Sequence, residues 1–173
     1  MNEMVVLVDE HDAETGVMEK MQAHLEGRLH RAISVFIFNS KGELLLQQRA
    51  AGKYHSANLW TNTCCSHPRP GEPVEEAAYR RLNEEMGITC KSHEVFHFTY
   101  KAQLDNNITE YEYDHVFVGI SDAIPQPDKA EVASWRYIMP GQLSAEIKEE
   151  GGKYTEWFKI CISEWYKELF TVK

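Results

Sequence analysis

The chain has 173 residues, 43% of them hydrophobic and 26% charged, which suits one globular domain over residues 1–173. A formal net charge of −9 argues against general binding to nucleic acid or to an anionic membrane surface. The sequence also lacks an apolar run long enough to cross a bilayer, and its acidic start lacks the features of a signal peptide.

The N-terminal part of the chain predicts three strands and a helix before the first long loop. Met4–Val8 is typical of a strand, and Val17–Leu25 has apolar residues at a helical period. Arg31–Phe38 and Glu43–Gln48 are β-rich runs, and the four residues 39–42 between them predict a hairpin.

The remaining elements follow from turn signals and periodicity. Pro70–Pro73 predicts a turn and Val74–Met86 a helix, because Val74, Ala78, Leu82 and Met86 recur every four residues and Gly87 follows. Further expected elements are strands at Glu94–Leu104, Glu110–Ile120 and Val132–Ile138, a turn at Asp105-Asn106-Asn107, and helices at Pro140–Glu149 and Tyr154–Leu169. This mixture, without regular βαβ units, predicts an α+β fold or a layered α/β/α sandwich.

The cysteines indicate a reducing compartment. Cys64, Cys65, Cys90 and Cys161 include an adjacent pair, which is a poor pattern for a secreted disulfide framework. We therefore expect a cytoplasmic protein with free thiols.

Cys65 and His67 lie two residues apart in the run Thr61–Pro68. In an extended segment they share one face and Cys64 takes the other. A histidine at that spacing can hold a metal ion or activate the thiol. The alternative is that both cysteines are small buried apolar residues, and this motif alone favours that interpretation.

Two further groups offer carboxylates for a cation. Glu84 and Glu85 end the predicted helix, with Arg81 one turn before Glu85; they can hold Mg²⁺ or form exposed i, i+4 ion pairs. Glu110, Glu112 and Asp114 alternate along a strand whose same face continues with apolar residues, so they need partners or a metal unless the strand lies at an edge.

The stretch Ser66–Ile88 resembles the Nudix box, a loop–helix–loop that binds a metal and a diphosphate. The matching residues are Glu72, Arg80, Leu82, Glu84, Glu85, Gly87 and Ile88. Two positions differ: Ser66 stands in place of the opening glycine, and Arg81 in place of a glutamate that Nudix hydrolases use to activate water. The resemblance therefore predicts diphosphate binding but argues against hydrolysis.

The two differences from the Nudix box and the run Thr61–Pro68 before it resemble one branch of Nudix-like proteins, the type I isopentenyl diphosphate isomerases. That family has a Thr-Asn-x-x-Cys-x-His-Pro motif, an N-terminal histidine pair, a basic phosphate loop and a Glu-x-Glu. Here these fall on Thr61, Asn62, Cys65, His67 and Pro68, on His24 and His30, on residues 49–53, and on Glu110 and Glu112. The likeness covers roughly residues 4–165 and implies a Nudix-type α/β/α sandwich around a mixed sheet.

The resemblance implies two metal sites. One would take Zn²⁺, Mn²⁺ or Mg²⁺ on three imidazoles and two carboxylates, a set that suits an octahedral ion. Its ligands are His24, His30, His67, Glu110 and Glu112. The second would hold Mg²⁺ through Glu85 and substrate phosphate oxygens. The other histidines are interpreted as ordinary core or surface residues: His11, His55, His93, His97 and His115.

The resemblance also implies the reaction, conversion of isopentenyl diphosphate to dimethylallyl diphosphate. Cys65 and Glu112 are the expected opposed proton-transfer pair, Tyr100 assists Glu112, and Trp157 faces the carbocation. Lys20, Arg49, Lys53 and Arg81 match positions that contact the diphosphate.

Two other functions stay open on the sequence. One is a Nudix hydrolase of a nucleoside diphosphate derivative, which the box supports and Arg81 opposes. The other is a binding module that has lost catalysis, which the intact set of Cys65, Glu85 and Glu112 opposes. The sequence does not decide the metal, the oligomeric state, or which member of the Cys65–Glu112 pair acts first.

Overall fold

A computed structural model describes residues 3–104 and 107–171. Its strands are β1 (Met4–Val8), β2 (Glu14–Glu19), β3 (His30–Phe38), β4 (Leu44–Arg49), β5 (Trp60–Thr61), β6 (Cys64–Ser66), β7 (Ser92–Gln103), β8 (Thr109–Ile120) and β9 (Val132–Ile138). Its helices are α1 (Lys20–Glu26), α2 (Val74–Met86), α3 (Pro140–Glu150), α4 (Glu156–Glu164) and α5 (Tyr166–Phe170), with a 3₁₀ turn at Gly151–Lys153.

Strand β3 organises the sheet. It runs parallel to β8 over nine residue pairs, from His30 opposite Glu112 to Phe38 opposite Ile120. On its other edge it pairs antiparallel with the short strand β6, where Ser34 lies opposite Cys65. Strand β7 pairs antiparallel with β8, and β9 with β4, so the sheet is mixed. The histidine, glutamate and cysteine motifs therefore meet on three neighbouring strands.

Side chains alternate between two cores on opposite faces of the sheet. From β3, Phe36 and Phe38 pack with α4, whereas Ile33, Val35 and Ile37 pack with α2. Helices cover both faces, so the expected α+β sandwich around a mixed sheet is confirmed. No helix in the described part of the chain has the length and apolar character needed to cross a membrane.

The first helix begins later in the structure than the sequence predicts. Its opening residues belong to β2, where Val17 pairs with Val6 of β1, and only Lys20–Glu26 is helical. The helix starts at Glu19, whose carboxylate accepts a hydrogen bond from the Gln22 amide at 2.8 Å. Strand pairing thus overrides the helical period across Val17–Glu19, and Leu25, assigned to the apolar stripe, is exposed.

The single helix predicted at Tyr154–Leu169 is wrong, because the structure has two helices there, α4 and α5. Tyr154 is extended and bridges Trp60, and the helical path breaks at Trp165 between α4 and α5. The Trp165 ring stacks on Phe96 with centroids 4.7 Å apart, a packing contact that accompanies the break. The predicted turn before β8 lies outside the described residues at Asp105 and Asn106.

Helix α2 has the predicted bounds and ends at Gly87, which has a left-handed φ of 65°. A Cβ added at Gly87 would lie 2.6 Å from the backbone oxygen of Gln126. Gly71 also has a positive φ, of 78°, but a Cβ there meets nothing within 4 Å. A substitution at Gly71 would therefore test backbone strain alone, whereas one at Gly87 would add steric overlap.

We expect Gly71→Ala to lower the free energy of unfolding by about 1–2 kcal/mol, the usual left-handed penalty. Gly87→Ala should lose that amount plus about 1–3 kcal/mol, because the added methyl group overlaps backbone. Urea denaturation of both variants measures the difference. Equal losses would show that Gln126 moves away at no cost.

Candidate active site

A cavity of about 190 Å³ opens over β3, β6 and β8. Most of the residues singled out in the sequence line it: Lys20, Arg49, Lys53, Cys65, His67, Arg81, Glu85, Tyr100, Glu110, Glu112 and Trp157. His24 and His30 lie behind this lining and are fully buried. The structure thus brings together residues from both ends of the chain.

The two buried histidines are held with one ring nitrogen free. His24 Nδ1 lies 2.7 Å from the Lys20 carbonyl, and His30 Nδ1 lies 2.8 Å from the Arg28 carbonyl. A carbonyl only accepts hydrogen bonds, so each Nδ1 carries the proton and each Nε2 offers a lone pair. Both Nε2 atoms are buried without a hydrogen-bond partner. That arrangement is typical of histidines that bind a metal ion.

The third histidine converges with them on a carboxylate. His67 Nε2 lies 3.0 Å and His30 Nε2 3.5 Å from the same oxygen, Oε1 of Glu112. One ligand atom from each of His24, His30, His67 and Glu112 lies within 4.8 Å of the others. Burial lowers the pKa of His24 to about 4, with a further contribution from His67, so the ring is neutral as a ligand must be. These four residues suit a divalent metal ion.

Glu110 is placed differently from the expected five-ligand set. It lies with His24 and His55 in a second group whose ligand atoms are within 4.8 Å of one another, and His55 Nε2 is 3.3 Å from its Oε1. The two groups share His24. Glu110 therefore lies beside the four-residue group, at an oxygen–nitrogen contact with His55 that the sequence interpretation did not anticipate.

Tyr100 joins the two glutamates. Its hydroxyl lies 2.6 Å from Glu112 Oε2 and 3.1 Å from Glu110 Oε2. Burial, followed by repulsion from Glu112, raises the pKa of Glu110 well above its usual range. Burial acts the same way on Glu112, but its contacts with His30 and His67 hold its pKa well below the usual range. The neighbours therefore differ in protonation, with Glu112 the ionised one.

Cys65 lies in the middle of β6 with its side chain toward the cavity, while Cys64 is buried against α2. The alternation expected for an extended segment is therefore confirmed. Burial raises the pKa of the Cys65 thiol to about 12, opposed by the positive charge of Arg49. The thiol is protonated at neutral pH, which suits a proton donor better than a nucleophile.

The end of α2 supplies a buried carboxylate held by two donors. Glu85 accepts a hydrogen bond from Arg81 Nη2 at 2.6 Å and from Gln47 Nε2 at 2.9 Å. Glu84 is more exposed and pairs with both Arg80 and Arg81. The exposed i, i+4 alternative is therefore wrong for Glu85, which is 3% exposed and lines the cavity.

The basic residues at the cavity already have partners. Lys20 pairs with Glu3, Lys53 with Glu131, and Arg81 Nη2 lies 3.6 Å from Glu131 Oε1. Arg49 is 7% exposed; its Nη2 donates to the His55 carbonyl at 3.2 Å and its Nε is buried without a hydrogen-bond partner. A buried guanidinium N–H without an acceptor is a suitable contact for a phosphate oxygen.

Trp157 closes another wall. Its Nε1 donates to Asn62 Oδ1 at 3.3 Å, and the Arg49 guanidinium lies 5.4 Å from its ring centroid. Asn62 in turn donates to the Cys64 carbonyl at 2.7 Å. The hydrogen bond fixes the indole plane beside the strand that carries Cys65.

Sequence reasoning missed two residues of this site. It placed His55 among the ordinary histidines, although the side chain lines the cavity and is 5% exposed beside Glu110. It did not consider Glu131, which pairs with Lys53 and Arg81. The position of His55 two residues after the basic loop was the available signal. Glu131 had none, since it lies far along the chain.

The fold and the sequence both match known proteins. Residues 28–158 match the NUDIX domain. A crystal structure from Deinococcus radiodurans superposes with a TM-score of 0.78 over 95% of this chain and 99% of that chain, at 21% identity. The MutT protein from Methanosarcina mazei gives 0.67 over 81% and 94%, at 19% identity. These structures establish a NUDIX fold.

Relatives with higher sequence identity show which class of NUDIX protein this chain belongs to. Isopentenyl-diphosphate Delta-isomerase from Pectobacterium atrosepticum is 52% identical over 92% of this chain and 89% of its own length. Isopentenyl-diphosphate Delta-isomerase 1 from Aromatoleum aromaticum is 52% identical over 94% and 92%. This chain therefore belongs to the type I isopentenyl-diphosphate isomerases of the NUDIX superfamily.

We expect Cys65 in the metal-free protein to react with iodoacetamide ever faster as pH rises through 10. Its pKa of about 12 keeps the thiolate fraction rising across that range. A thiol of ordinary pKa, about 8.5, would level off near pH 9 to 10. Mass spectrometry of the Cys65 peptide gives the rate, with Cys65→Ser identifying the signal. A plateau near pH 9 would contradict the burial argument.

Proposed function

We propose that this protein isomerises isopentenyl diphosphate to dimethylallyl diphosphate in isoprenoid biosynthesis. One observation carries the proposal: the Cys65 thiol and the buried Glu112 carboxylate line one cavity, with the pKa of the thiol raised to about 12 and that of the carboxylate held well below its usual range. Relatives near 50% identity that bear the isomerase name support it. The substrate is a small diphosphate, and no role with nucleic acid or membrane is proposed.

The reaction moves a double bond by one carbon. A proton added to the terminal CH₂ carbon leaves a tertiary carbocation, and loss of a proton from C2 forms the internal double bond. With the thiol protonated and the carboxylate ionised, the Cys65 Sγ–H gives the first proton and the Glu112 carboxylate takes the second. The reverse order would start from a protonated Glu112 and a Cys65 thiolate. Strands β6 and β8 carry the two groups on opposite edges of β3.

Tyr100 and Trp157 have supporting roles in this proposal. The Tyr100 hydroxyl, 2.6 Å from Glu112 Oε2, can pass a proton to or from that carboxylate. Trp157 would offer a π face to the carbocation, and such a face attracts positive charge. Its hydrogen bond to Asn62 keeps that ring in place.

The metal assignments follow from the donor sets. His24, His30, His67 and Glu112, with Glu110 beside them, would hold one Zn²⁺, Mn²⁺ or Mg²⁺, and imidazole favours the transition metals. When bound, such a cation would stabilise the ionised form of Glu112 and fix its orientation. Glu85 would hold Mg²⁺ together with the substrate's phosphate oxygens.

The diphosphate would lie against Arg49, Lys53, Arg81 and Lys20. The buried Nε atoms of Arg49 and Arg81 both have no acceptor, but Arg81 is already paired with Glu84 and Glu85. Arg49 is the best placed, because it forms no ion pair among the described residues. Hydrolysis of the diphosphate is not proposed: Arg81 occupies the position of the glutamate that activates water in Nudix hydrolases, and its guanidinium is bound to Glu84 and Glu85. A cytoplasmic location and a single domain over residues 1–173 complete the proposal; the free cysteines suit a reducing compartment.

Incubation with isopentenyl diphosphate and Mg²⁺ should yield the allylic isomer, detected by its acid lability or by proton NMR. Cys65→Ala and Glu112→Gln should each lower kcat by at least about 10²–10⁴-fold, the range of a lost general acid or base. Cys90→Ala, a cysteine outside the cavity, should keep normal turnover.

The same samples decide between isomerase and hydrolase. Turnover that survives both Cys65→Ala and Glu112→Gln would refute the proposed chemistry. Phosphate release from a nucleotide panel that survives Cys65→Ala would favour the hydrolase. Metal analysis of the purified protein identifies the ion of the histidine group.

Arg49→Gln should raise KM for isopentenyl diphosphate by about 10–100-fold, because a charge-assisted hydrogen bond to phosphate is lost. Arg49→Lys should fall between the wild type and Arg49→Gln, since it keeps the charge without the planar fork. Steady-state kinetics gives KM, and a thermal melt checks folding. An unchanged KM in Arg49→Gln would exclude a contact between Arg49 and the diphosphate.

A further inference from the structure

A third group of histidines and a carboxylate lies on the opposite face of β8 from Glu112. Glu94, His97 and His115 each place one ligand atom within 4.8 Å of the other two. His115 Nδ1 is 2.9 Å and His97 Nδ1 is 3.4 Å from the same oxygen, Glu94 Oε1. Because strand side chains alternate, His115 points away from the cavity that Glu112 lines.

A β-bulge brings the carboxylate to this face. In a regular strand Glu94 and His97, three residues apart, would point to opposite faces. The register shifts between Glu94 and Phe96, so that Glu94 pairs with Phe117 while His97 pairs with His115. The bulge therefore turns Glu94 onto the side of the two histidines, which is a common use of bulges at functional sites.

The ring of His115 is oriented from behind by another carboxylate. Its Nε2 lies 3.0 Å from Asp12 Oδ2, and Asp12 Oδ1 accepts a hydrogen bond from Arg31 Nε at 2.7 Å. A neutral ring that donates from Nε2 to Asp12 presents its Nδ1 lone pair toward Glu94 and His97. A carboxylate behind a histidine in this way is the usual outer support of a metal ligand.

The other histidine is also held in place. The His97 ring stacks on Tyr113 with centroids 5.2 Å apart and an interplanar angle of 23°. His115 is 7% exposed, whereas the His97 side chain is 55% exposed. One ligand is thus rigid and buried and another is open to solvent, so an ion could reach the group from outside.

We propose that Glu94, His97 and His115 form a binding site for a transition-metal dication, with Zn²⁺ as the probe. Two imidazole nitrogens and one carboxylate oxygen are a suitable donor set, and water would complete the coordination. Ligands about 2.0–2.1 Å from a tetrahedral ion lie about 3.4 Å apart, near the separations in this group. The ion would join β7 to β8 and, through Asp12, to the turn after β1.

The competing arrangement holds no metal. A doubly protonated His115 between Asp12 and Glu94 would satisfy both contacts as an ion pair at each ring nitrogen. The two arrangements differ in what His97 does, since it is a ligand in the first and a bystander in the second. The site is independent of the proposed isomerase activity.

Equilibrium dialysis of the metal-loaded enzyme against Zn²⁺, with metal counted by mass spectrometry, tests the proposal. The wild type should bind one ion more than His97→Ala, and Glu94→Gln should match His97→Ala. His93→Ala is the matched control, because His93 is an exposed histidine on the same strand and should leave the count unchanged. All variants should keep isomerase turnover.

A second readout uses stability. Zn²⁺ should raise the melting temperature of the wild type and His93→Ala further than that of His97→Ala. Asp12→Asn should weaken zinc binding by about 10–100-fold, as expected on loss of a supporting carboxylate. Equal zinc counts in wild type and His97→Ala would overturn the site and leave the ion-pair arrangement. Unchanged zinc affinity in Asp12→Asn would overturn the role given to Asp12.

Discussion

Three carboxylates are buried on one face of β8, and each requires a compensating group, because an unpaired buried charge costs several kcal/mol. Glu110, Glu112 and Asp114 are 3%, 7% and 1% exposed. The strand has partners on both edges, β3 and β7, so these side chains have no route to solvent along an edge. The edge-strand alternative raised by the sequence is therefore wrong. The histidines, Tyr100 and Ser34 are the neighbours that make this burial tolerable.

The groups that contact each buried carboxylate differ, and so the pKa values of the carboxylates shift in different directions. Glu112 receives histidine contacts on one oxygen and a tyrosine hydroxyl on the other. Asp114 has only the Ser34 hydroxyl on Oδ2, and burial followed by repulsion from Glu112 raises its pKa well above the usual range. Neighbouring groups pushed in opposite directions are how one site can supply both a proton donor and an acceptor near neutral pH. On β6, burial raises the pKa of the Cys65 thiol to about 12, which adds a protonated group to the same cavity.

Regular periodicity and specific motifs were predictable from the sequence; irregular backbone was not. The i, i+4 stripe gave α2 its bounds, and alternation placed Glu110, Glu112 and Asp114 on one face. The family resemblance identified residues that line the cavity, among them Cys65, Glu112 and Trp157. The bulge before Phe96 and the turn of His55 toward Glu110 depend on tertiary packing. A single extra residue in a strand moves every later side chain to the other face of the sheet. The spacing of Glu94 and His97 alone could therefore not show that they share a face.

The ion pairs around the cavity explain how an acidic chain can accept a diphosphate. Arg81 is bound to Glu85, and Lys53 is paired with Glu131, so the cations are neutralised before any substrate arrives. A diphosphate alone would have to displace these carboxylates and leave each without its cationic partner, and Glu85 is buried. In the proposed binding mode, a diphosphate that arrives with Mg²⁺ would bring both signs of charge, so phosphate oxygens would take over the Arg81 guanidinium and Glu85 would bind the ion. The phosphate would then replace Glu85 as the partner of Arg81, and the metal ion would replace Arg81 as the partner of Glu85. The buried charges would thus stay balanced in both the free and the bound states.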